Sequence, residues 1–437
     1  MDYARCAELH NRILDMGIRK QLTLGDGRND SPHSIKSPPV LQHPNWFQHW
    51  GKRAEAVRPY LSPNLTAFLE RAGAMGDGHS FFYYVNGLES PDVMWAHQVG
   101  MAEDLTDPYR YVTLYSTNQF ASYPDGLVFD QKKTLAIMQM SIHDGFVTQN
   151  GRQKWYPLEV VLSQWLDMIE VGKVQAVAEG VRSRSEKQGP WTLVGYSERQ
   201  LEETLEVWEQ LLNAIEARIP DHTPSNDSRT LFDDDEIDLE AAGVLPGFMP
   251  EFLAKARRPA FHHIAPGLQI RDAESVAFQQ PFRSVPLVCP HNRPEYPGSP
   301  KIQFPILLFA SSEGRTYDAP PSENFYEDGV KLVLPFGIGG RGWARTADGA
   351  KFGENTGQVK HADVEGQDMH HSLFQLGYQP FVAAHEVRLV QVLRVWVKLV
   401  ESGAWKVGPD GILGGMEKWR DADTWWHWKK YVVPMSW

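Results

Sequence analysis

Residues 127–142 read LVFDQKKTLAIMQMSI. Two apolar runs, LVFD (127–130) and TLAIMQMSI (134–142), are separated only by a short polar stretch, close enough to pair as a hairpin. A connection this short joins antiparallel strands, because a parallel return needs a crossover of a dozen or more residues. Upstream, FFYYVN (81–86), DVMWAH (92–97) and YVTLYS (111–116) are aromatic and β-branched, and they read as further strands. Helices flank this strand-rich region. Residues 2–20 read as a short amphipathic helix and residues 21–44, rich in Gly, Ser, Pro and Asn, as a loop. Ser62-Pro63 supplies an N-cap with proline at the first helical position, opening NLTAFLERA. Residues 158–171, LEVVLSQWLDMIEV, carry apolar residues at helical spacing, with Gly172 just past the end.

The pattern continues through the second half. WTLVGY (191–196) reads as a strand, and Ser197 with Gln200 makes a capping box for the clearest helix in the chain. Its stripe is Leu201, Leu205, Trp208, Leu212, Ile215 and Ile219, and Pro220 ends it. The polar tract DHTPSNDSRT that follows suits a surface connection. MPEFLAKARR reads as a short helix, and FHHIA, VPLVC, KIQFPILLFAS and GVKLVLPF as strands. VRLVQVLRVWVKLV, from Val387 to Val400, is the most hydrophobic helix and is expected at the centre of its lobe. The tail is dense in tryptophan, including Trp425, Trp426 and Trp428. Helices and strands intermix with no internal repeat and no regular βαβ alternation. The expected class is therefore α+β, a mixed and largely antiparallel sheet with packed helices in one or two intimately packed lobes. The expected division is an N-terminal lobe over 1–220, an acidic connection over 221–244 and a C-terminal lobe over 245–437.

Composition narrows the function classes. With 437 residues there is ample chain for a large core, and 22% charged residues with a mean hydropathy of -0.41 are those of a soluble globular protein. The first twenty residues, MDYARCAELHNRILDMGIRK, are charged throughout, so no signal peptide is expected. No stretch approaches the ~18 apolar residues of a membrane span, so no membrane partner is expected. Two cysteines, Cys6 and Cys289, cannot form a disulfide framework or a cysteine zinc site, and a reducing, cytoplasmic setting is expected. The net charge is -12, but residues 201–250 carry thirteen acids and only two bases. The rest of the chain is almost neutral, which leaves room for locally basic surfaces.

The sharpest charge pattern lies in LFDDDEIDLEAAGVLPGFMPEFLAKARRPAFHHIAPGL, Leu231 to Leu268. It opens with six carboxylates in eight residues, Asp233, Asp234, Asp235, Glu236, Asp238 and Glu240, and turns basic at Lys255, Arg257 and Arg258. Crowded carboxylates repel one another. Such a cluster can bind a divalent cation, grip a guanidinium, or hold a general base. A solvated acidic loop is the plain alternative. Asp234, Asp235 and Asp238 fit D-D-x-x-D, which resembles the diphosphate–magnesium motif of class I terpene synthases. Those proteins are all-helical and use a second ligand motif, which this chain lacks.

In overall character the chain resembles the arginine-containing cyclodipeptide synthases of fungi, a family marked by a D-D-x-x-E motif. Asp234, Asp235 and Asp238 match it with aspartate in the last place. The resemblance rests on this stretch and its surroundings, ARRPAFHHIAPGL included. It implies transfer of arginine from arginyl-tRNA, joining to an amino acid from a second aminoacyl-tRNA, and closure of a diketopiperazine. The aminoacyl ester arrives activated, so no cofactor and no metal are expected. It also implies Asp234, Asp235 and Asp238 as the acids of catalysis, with Asp233 and Glu236 on the guanidinium. Lys255, Arg257, Arg258, Arg341 and Arg345 are the candidates for tRNA phosphates. The oligomeric state is open.

Two further patterns compete for attention. Gly337-Ile338-Gly339-Gly340-Arg341-Gly342 fits G-x-G-x-x-G after a strand, but WARTADGAKFGENTG is not the apolar helix that a dinucleotide site needs. A glycine turn exposing backbone N–H groups beside Arg341 and Arg345 is an anion nest in the making, and a plain hairpin loop is the simpler reading. His361-x-Asp363, with His370, His371 or His385, resembles a facial iron triad, which would make the protein a metal-dependent oxygenase or cyclase. His262 and His263 complete the histidines of the second half that invite attention. A third class is a non-catalytic interaction protein that uses its acidic block on a basic partner. No G-x-S-x-G elbow, Walker loop or HExxH motif is present.

Overall fold

The computed structural model describes residues 1–25, 44–75, 80–96, 107–117, 126–139, 155–176, 190–221, 229–232, 247–272, 274–275, 306–311, 330–331, 338–345, 351, 381, 388–434 and 436–437. The chain divides into two compact units. One comprises Met1–Val194 with Tyr378–Ala383 and Ser436–Trp437, the other Gly195–Gly377 with Ala384–Met435. Helices alternate with open sheets in which antiparallel pairs dominate, so the fold is α+β as expected.

The first unit contains α1 (Tyr3–Gly25), α2 (Trp46–Trp50), α3 (Lys52–Val57), α4 (Pro63–Leu69), β1 (Val85–Leu88), β2 (Tyr111–Thr117), β3 (Gly126–Asp130), β4 (Leu135–Gln139), α5 (Leu158–Glu170), β5 (Val174–Ala176) and β6 (Trp191–Leu193). β1 to β4 form one antiparallel sheet in chain order, and β5 pairs with β6. The β3–β4 hairpin forms where the sequence predicts it, with Leu127 opposite Met138, Val128 opposite Ile137 and Asp130 opposite Leu135. Its turn is held by the buried Asp130 carboxylate. That group accepts the backbone N–H of Lys132 at 2.9 Å and of Lys133 at 3.1 Å, and an Arg110 guanidinium N–H at 2.8 Å. Ser62 caps α4 through the Leu65 N–H, as expected from Ser-Pro.

Two expected strands take other forms. In FFYYVN, Phe82 and Val85 exchange both backbone hydrogen bonds, at 3.1 and 3.0 Å, so Tyr83 and Tyr84 make a tight turn and the strand begins at Val85. The four rings are aromatic because the core needs them. Phe82 stacks on Trp165 at 5.5 Å, and the Tyr84 hydroxyl and the Trp165 indole N–H both donate to the Phe381 carbonyl. Residues 92–96 of DVMWAH are turn, not strand. Ser90-Pro91 starts that turn, and the Ser90 carbonyl takes the N–H groups of Val93 and Met94. His97 lies outside the described residues.

The second unit contains α6 (Glu198–Glu216), α7 (Phe248–Lys255), β7 (His263–Ala265), β8 (Leu268–Ile270), β9 (Ile306–Leu307), β10 (Phe309–Ser311), β11 (Val330–Lys331), α8 (Leu389–Glu401), β12 (Val407–Gly408), β13 (Gly411–Ile412) and α9 (Trp428–Tyr431). The main sheet runs β10-β8-β7-β13-β12, and β9 pairs in parallel with β11. Ser197 and Gln200 form the expected capping box at the start of α6. Trp208, Leu211, Leu212 and Ile215 of α6 share one buried core with Leu393, Trp396 and Val400 of α8. Through it runs a line of rings, Trp208 to Phe309 at 6.1 Å, Phe309 to Trp396 at 5.6 Å, Trp396 to Trp405 at 5.7 Å and Trp405 to Trp419 at 5.1 Å.

This core corrects the expected lobes. The apolar stripe of α6 has its partner on α8, so α6 belongs to the second unit, and the division falls at Val194/Gly195 instead of across 221–244. The expected strand VPLVC, and most of the expected acidic connection, lie outside the described residues. Among the described residues, no helix is long and apolar enough to cross a membrane.

Gly126 offers a test of the first unit's sheet. It opens β3 at φ 82°, facing the irregular register between Thr113 and Tyr115, and a Cβ there would stand 2.1 Å from the Tyr115 carbonyl oxygen. Gly126→Ala is expected to cost at least about 1–3 kcal/mol, from left-handed backbone strain and displacement of the neighbouring strand. Urea unfolding measures this, and an unchanged midpoint would contradict the close approach.

Candidate functional site

Asp423 ends a 3-10 helix, Met416–Asp423, and its side chain is buried. One carboxylate oxygen accepts the backbone N–H of Gly339 at 3.1 Å and of Arg341 at 2.7 Å. The other accepts those of Trp343 at 2.7 Å and Ala344 at 2.9 Å. Gly339 at φ 111° and Gly342 at φ 77° give the backbone the turns it needs to aim four donors at one point. The glycine loop is therefore a nest, but the anion in it is the chain's own. It is neither a dinucleotide site nor an open phosphate cradle.

What the loop presents outward is a cationic and aromatic surface. Arg341 is exposed and has no carboxylate partner among the described residues. Arg345 donates to the carbonyls of Gly342 and Ala344, at 2.9 and 3.1 Å, and its guanidinium lies 5.2 Å from the centre of the Trp428 ring. The Lys429 ammonium lies 5.7 Å from that ring centre, and Lys429 and Lys430 are both exposed. Trp343 meets Trp425 edge-to-face at 5.0 Å, and Trp425 is followed by Trp426 at 6.3 Å. Trp425 and Trp426 are 58% and 80% exposed, unusual for the largest apolar side chain. Among the described residues the nearby acids are engaged: Asp423 in the nest, Asp421 by Lys418, and Glu417 by the Gly415 N–H at 2.9 Å. Such a surface can bind phosphate by charge and flat rings by stacking.

The other predicted residues fall elsewhere. Asp233, Asp234, Asp235, Glu236 and Asp238 lie outside the described residues, as do His361, Asp363, His370, His371 and His385. The residues just before the acidic run are tied to α7 and its end. The Leu231 N–H donates to Ala256 at 2.7 Å and the Phe232 N–H to Leu253 at 3.0 Å. Lys255 is exposed beside Glu251 at 3.6 Å. Arg257 donates to Glu216 at 2.7 and 3.1 Å and to Glu209 at 3.0 Å. The Glu216 bonds push its guanidinium pKa up, against the opposing effect of burial. Arg258 donates to the carbonyls of Leu231 at 2.7 Å and Arg271 at 3.1 Å. The structure thus gives Arg257 and Arg258 internal partners and places Arg341, exposed, and Arg345, half-buried, on one loop.

His262 places Nδ1 2.8 Å from Asp410, with His263 3.9 Å from the same carboxylate. Partial burial opposes ionisation of Asp410, and the His262 hydrogen bonds outweigh it, leaving the carboxyl below its usual range. This joins β7 to the tip of the β12–β13 hairpin. Among the described residues, no group of three or more His, Cys, Asp or Glu could hold a metal ion. In the first unit, His10 is buried between the Tyr115 hydroxyl at 2.8 Å and the Gly73 carbonyl at 2.7 Å, with Phe81 stacked on it at 4.5 Å. Burial pushes the Cys6 thiol far up, away from a reactive thiolate. Both are core groups.

Asp423, Trp343, Lys429 and Lys430 have no counterpart among the residues predicted from sequence. The tryptophan density of the tail is the one signal that pointed near them. No family model, no curated protein and no solved structure matches the chain.

Removing the Asp423 carboxylate strands four buried or half-buried N–H donors. Asp423→Ala is expected to cost at least about 2 kcal/mol, since hydrogen bonds to a charged group are worth about 1.5–3 kcal/mol each and water replaces only some of them. Asp423→Asn, which sets an amide N–H₂ against two donors, should recover little. Denaturant unfolding of both variants measures this, and wild-type stability in either would show that the loop holds itself.

Proposed function

We propose that this chain is a tRNA-dependent acyltransferase that forms an arginine-containing cyclic dipeptide. The observation that carries the reading is the open, cationic loop held by Asp423, with Arg341 and Arg345 on it and Lys429 and Lys430 beside it. A tRNA is a polyanion, and cations without carboxylate partners are what its phosphates require. The resemblance supplies the chemistry. In it Asp234, Asp235 and Asp238 hold the acids that take a proton from the attacking amine. Asp233 and Glu236 receive the guanidinium of the arginyl ester by paired hydrogen bonds. Arg341 and Arg345 carry the phosphate contacts, and Lys255 adds a weaker one from α7. Arg257 pairs instead with Glu209 and Glu216 of α6, and Arg258 holds the segment that leads into the acidic run. Charged tRNA is made in the cytoplasm, and a chain with two cysteines suits that reducing setting.

Two measurements test this. Binding of tRNA should weaken steeply with salt, and Arg341→Ala with Arg345→Ala should lower the logarithmic salt slope by about one unit per lost contact. Arg257→Ala should lower stability and leave the slope close to wild type. A protein that binds no tRNA even at low salt ends the proposal. For the chemistry, a bacterial or yeast host expressing the chain should release an arginine-containing cyclic dipeptide, detected by mass spectrometry. Asp235→Asn should slow its formation by about 10²–10⁴-fold while the melting temperature holds. Full product from Asp234→Asn, Asp235→Asn and Asp238→Asn alike would remove the acidic run from the mechanism.

A further inference from the structure

We infer that Trp425 and Trp426 are a stacking platform for unpaired nucleobases, so that the nucleic acid taken by this surface is single-stranded at the point of contact. The inference rests on the tRNA reading and adds which part of an RNA the surface meets. Trp426 is 80% exposed and Trp425 is 58% exposed. Elsewhere in the unit Trp208, Trp396, Trp405 and Trp419 are buried, and Trp343 and Trp428 are half-buried. Two indole rings that stand in water on one side of a cationic loop leave apolar faces for a ligand. Every base has such a face, and duplex RNA hides it inside the stack.

The geometry favours bases over the other surface that tryptophan and lysine serve, the membrane interface. Trp343 and Trp425 are inclined at 69°, and Trp425 and Trp426 at 73°. Rings at these angles present faces in different directions, which suits bases splayed apart one by one. A bilayer takes rings lying at one depth among aliphatic side chains. The cations are placed for a backbone. Arg345 lies over Trp428, and Arg341 is on the same Asp423-held loop as Trp343. A strand whose bases stack on Trp425 and Trp426 would thus have guanidinium groups close by for its phosphates. Asp423 links the two halves, because its carboxylate fixes Trp343, and Trp343 packs on the edge of Trp425.

The test uses the full chain with a fluorescein-labelled twelve-nucleotide single-stranded RNA, the same sequence as a duplex, and phosphatidylcholine–phosphatidylserine vesicles. Fluorescence anisotropy should show the single strand bound more tightly than the duplex. Trp426→Ala should weaken single-strand binding by about 5- to 150-fold, the value of one base–aromatic stack. Trp426→Phe, which keeps a ring, should stay near wild type, and the same pair at Trp425 should behave alike. Far-UV circular dichroism checks that these exposed substitutions leave the fold intact. If both alanine variants bind the single strand like wild type while Arg341→Ala with Arg345→Ala does not, the platform is wrong and the tRNA reading stands. If wild type binds neither RNA at low salt, both are wrong. If vesicles bind and only that binding is lost with Trp425→Ala and Trp426→Ala, the surface is a lipid contact and the platform is overturned.

Discussion

The packing of α6 against α8 is the contact on which the second unit depends. The two helices are far apart in sequence, yet their stripes close one core around Trp208 and Trp396. A buried aromatic ring removes about 150–250 Å² from water, worth roughly 4–6 kcal/mol before the entropy of ordering is subtracted. The line of rings from Trp208 to Trp419 extends that core from α6 to the 3-10 helix near the end of the chain. Loss of α6 would expose the buried face of α8, on which the tail also packs through Trp396 and Trp419.

The candidate site hangs from this core by a short physical chain. Trp419 is buried, and its indole N–H donates to the Pro266 carbonyl at 2.8 Å, which fixes the 3-10 helix. One turn on, the same helix delivers Asp423 to the glycine loop. The loop then has four of its backbone donors satisfied by a single carboxylate, so Arg341 is left to stand in solvent. Arg341, Trp425 and Trp426 are thus exposed over a backbone tied to one buried carboxylate.

Much of the fold was legible because local signals and tertiary demands agreed. Ser62-Pro63 and Ser197 with Gln200 named their helices through backbone N–H groups that any helix start leaves unsatisfied. Residues 127–139 announced their hairpin by pattern alone. The failures came where a residue type answered to a distant partner. Phe82 and Tyr84 look like strand residues, but Trp165 and Phe381 decide their place. The polar tract after Pro220 looked like a boundary, while the partner of α6 lay on α8. The site was legible by half. Arg341 and Arg345 could be nominated from a glycine turn. Asp423, some eighty residues on, carried no mark of the loop it holds. Charge density likewise singled out Arg257, whose charge is paired with Glu209 and Glu216 of α6.

The first unit includes Phe381 and Trp437, residues made long after the rest of it. Trp165 and Tyr84 donate to the Phe381 carbonyl, and the Trp437 indole N–H donates to Asp167 at 2.6 Å. On the ribosome, this unit has its helices and its sheet hundreds of residues before it has its last buried groups. Its core must wait, partly wet, while the second unit is translated. Nascent chains in that condition are the ones that chaperones hold. The first unit to be synthesised is thus the last to be finished, and the two cannot be separated by a single cut.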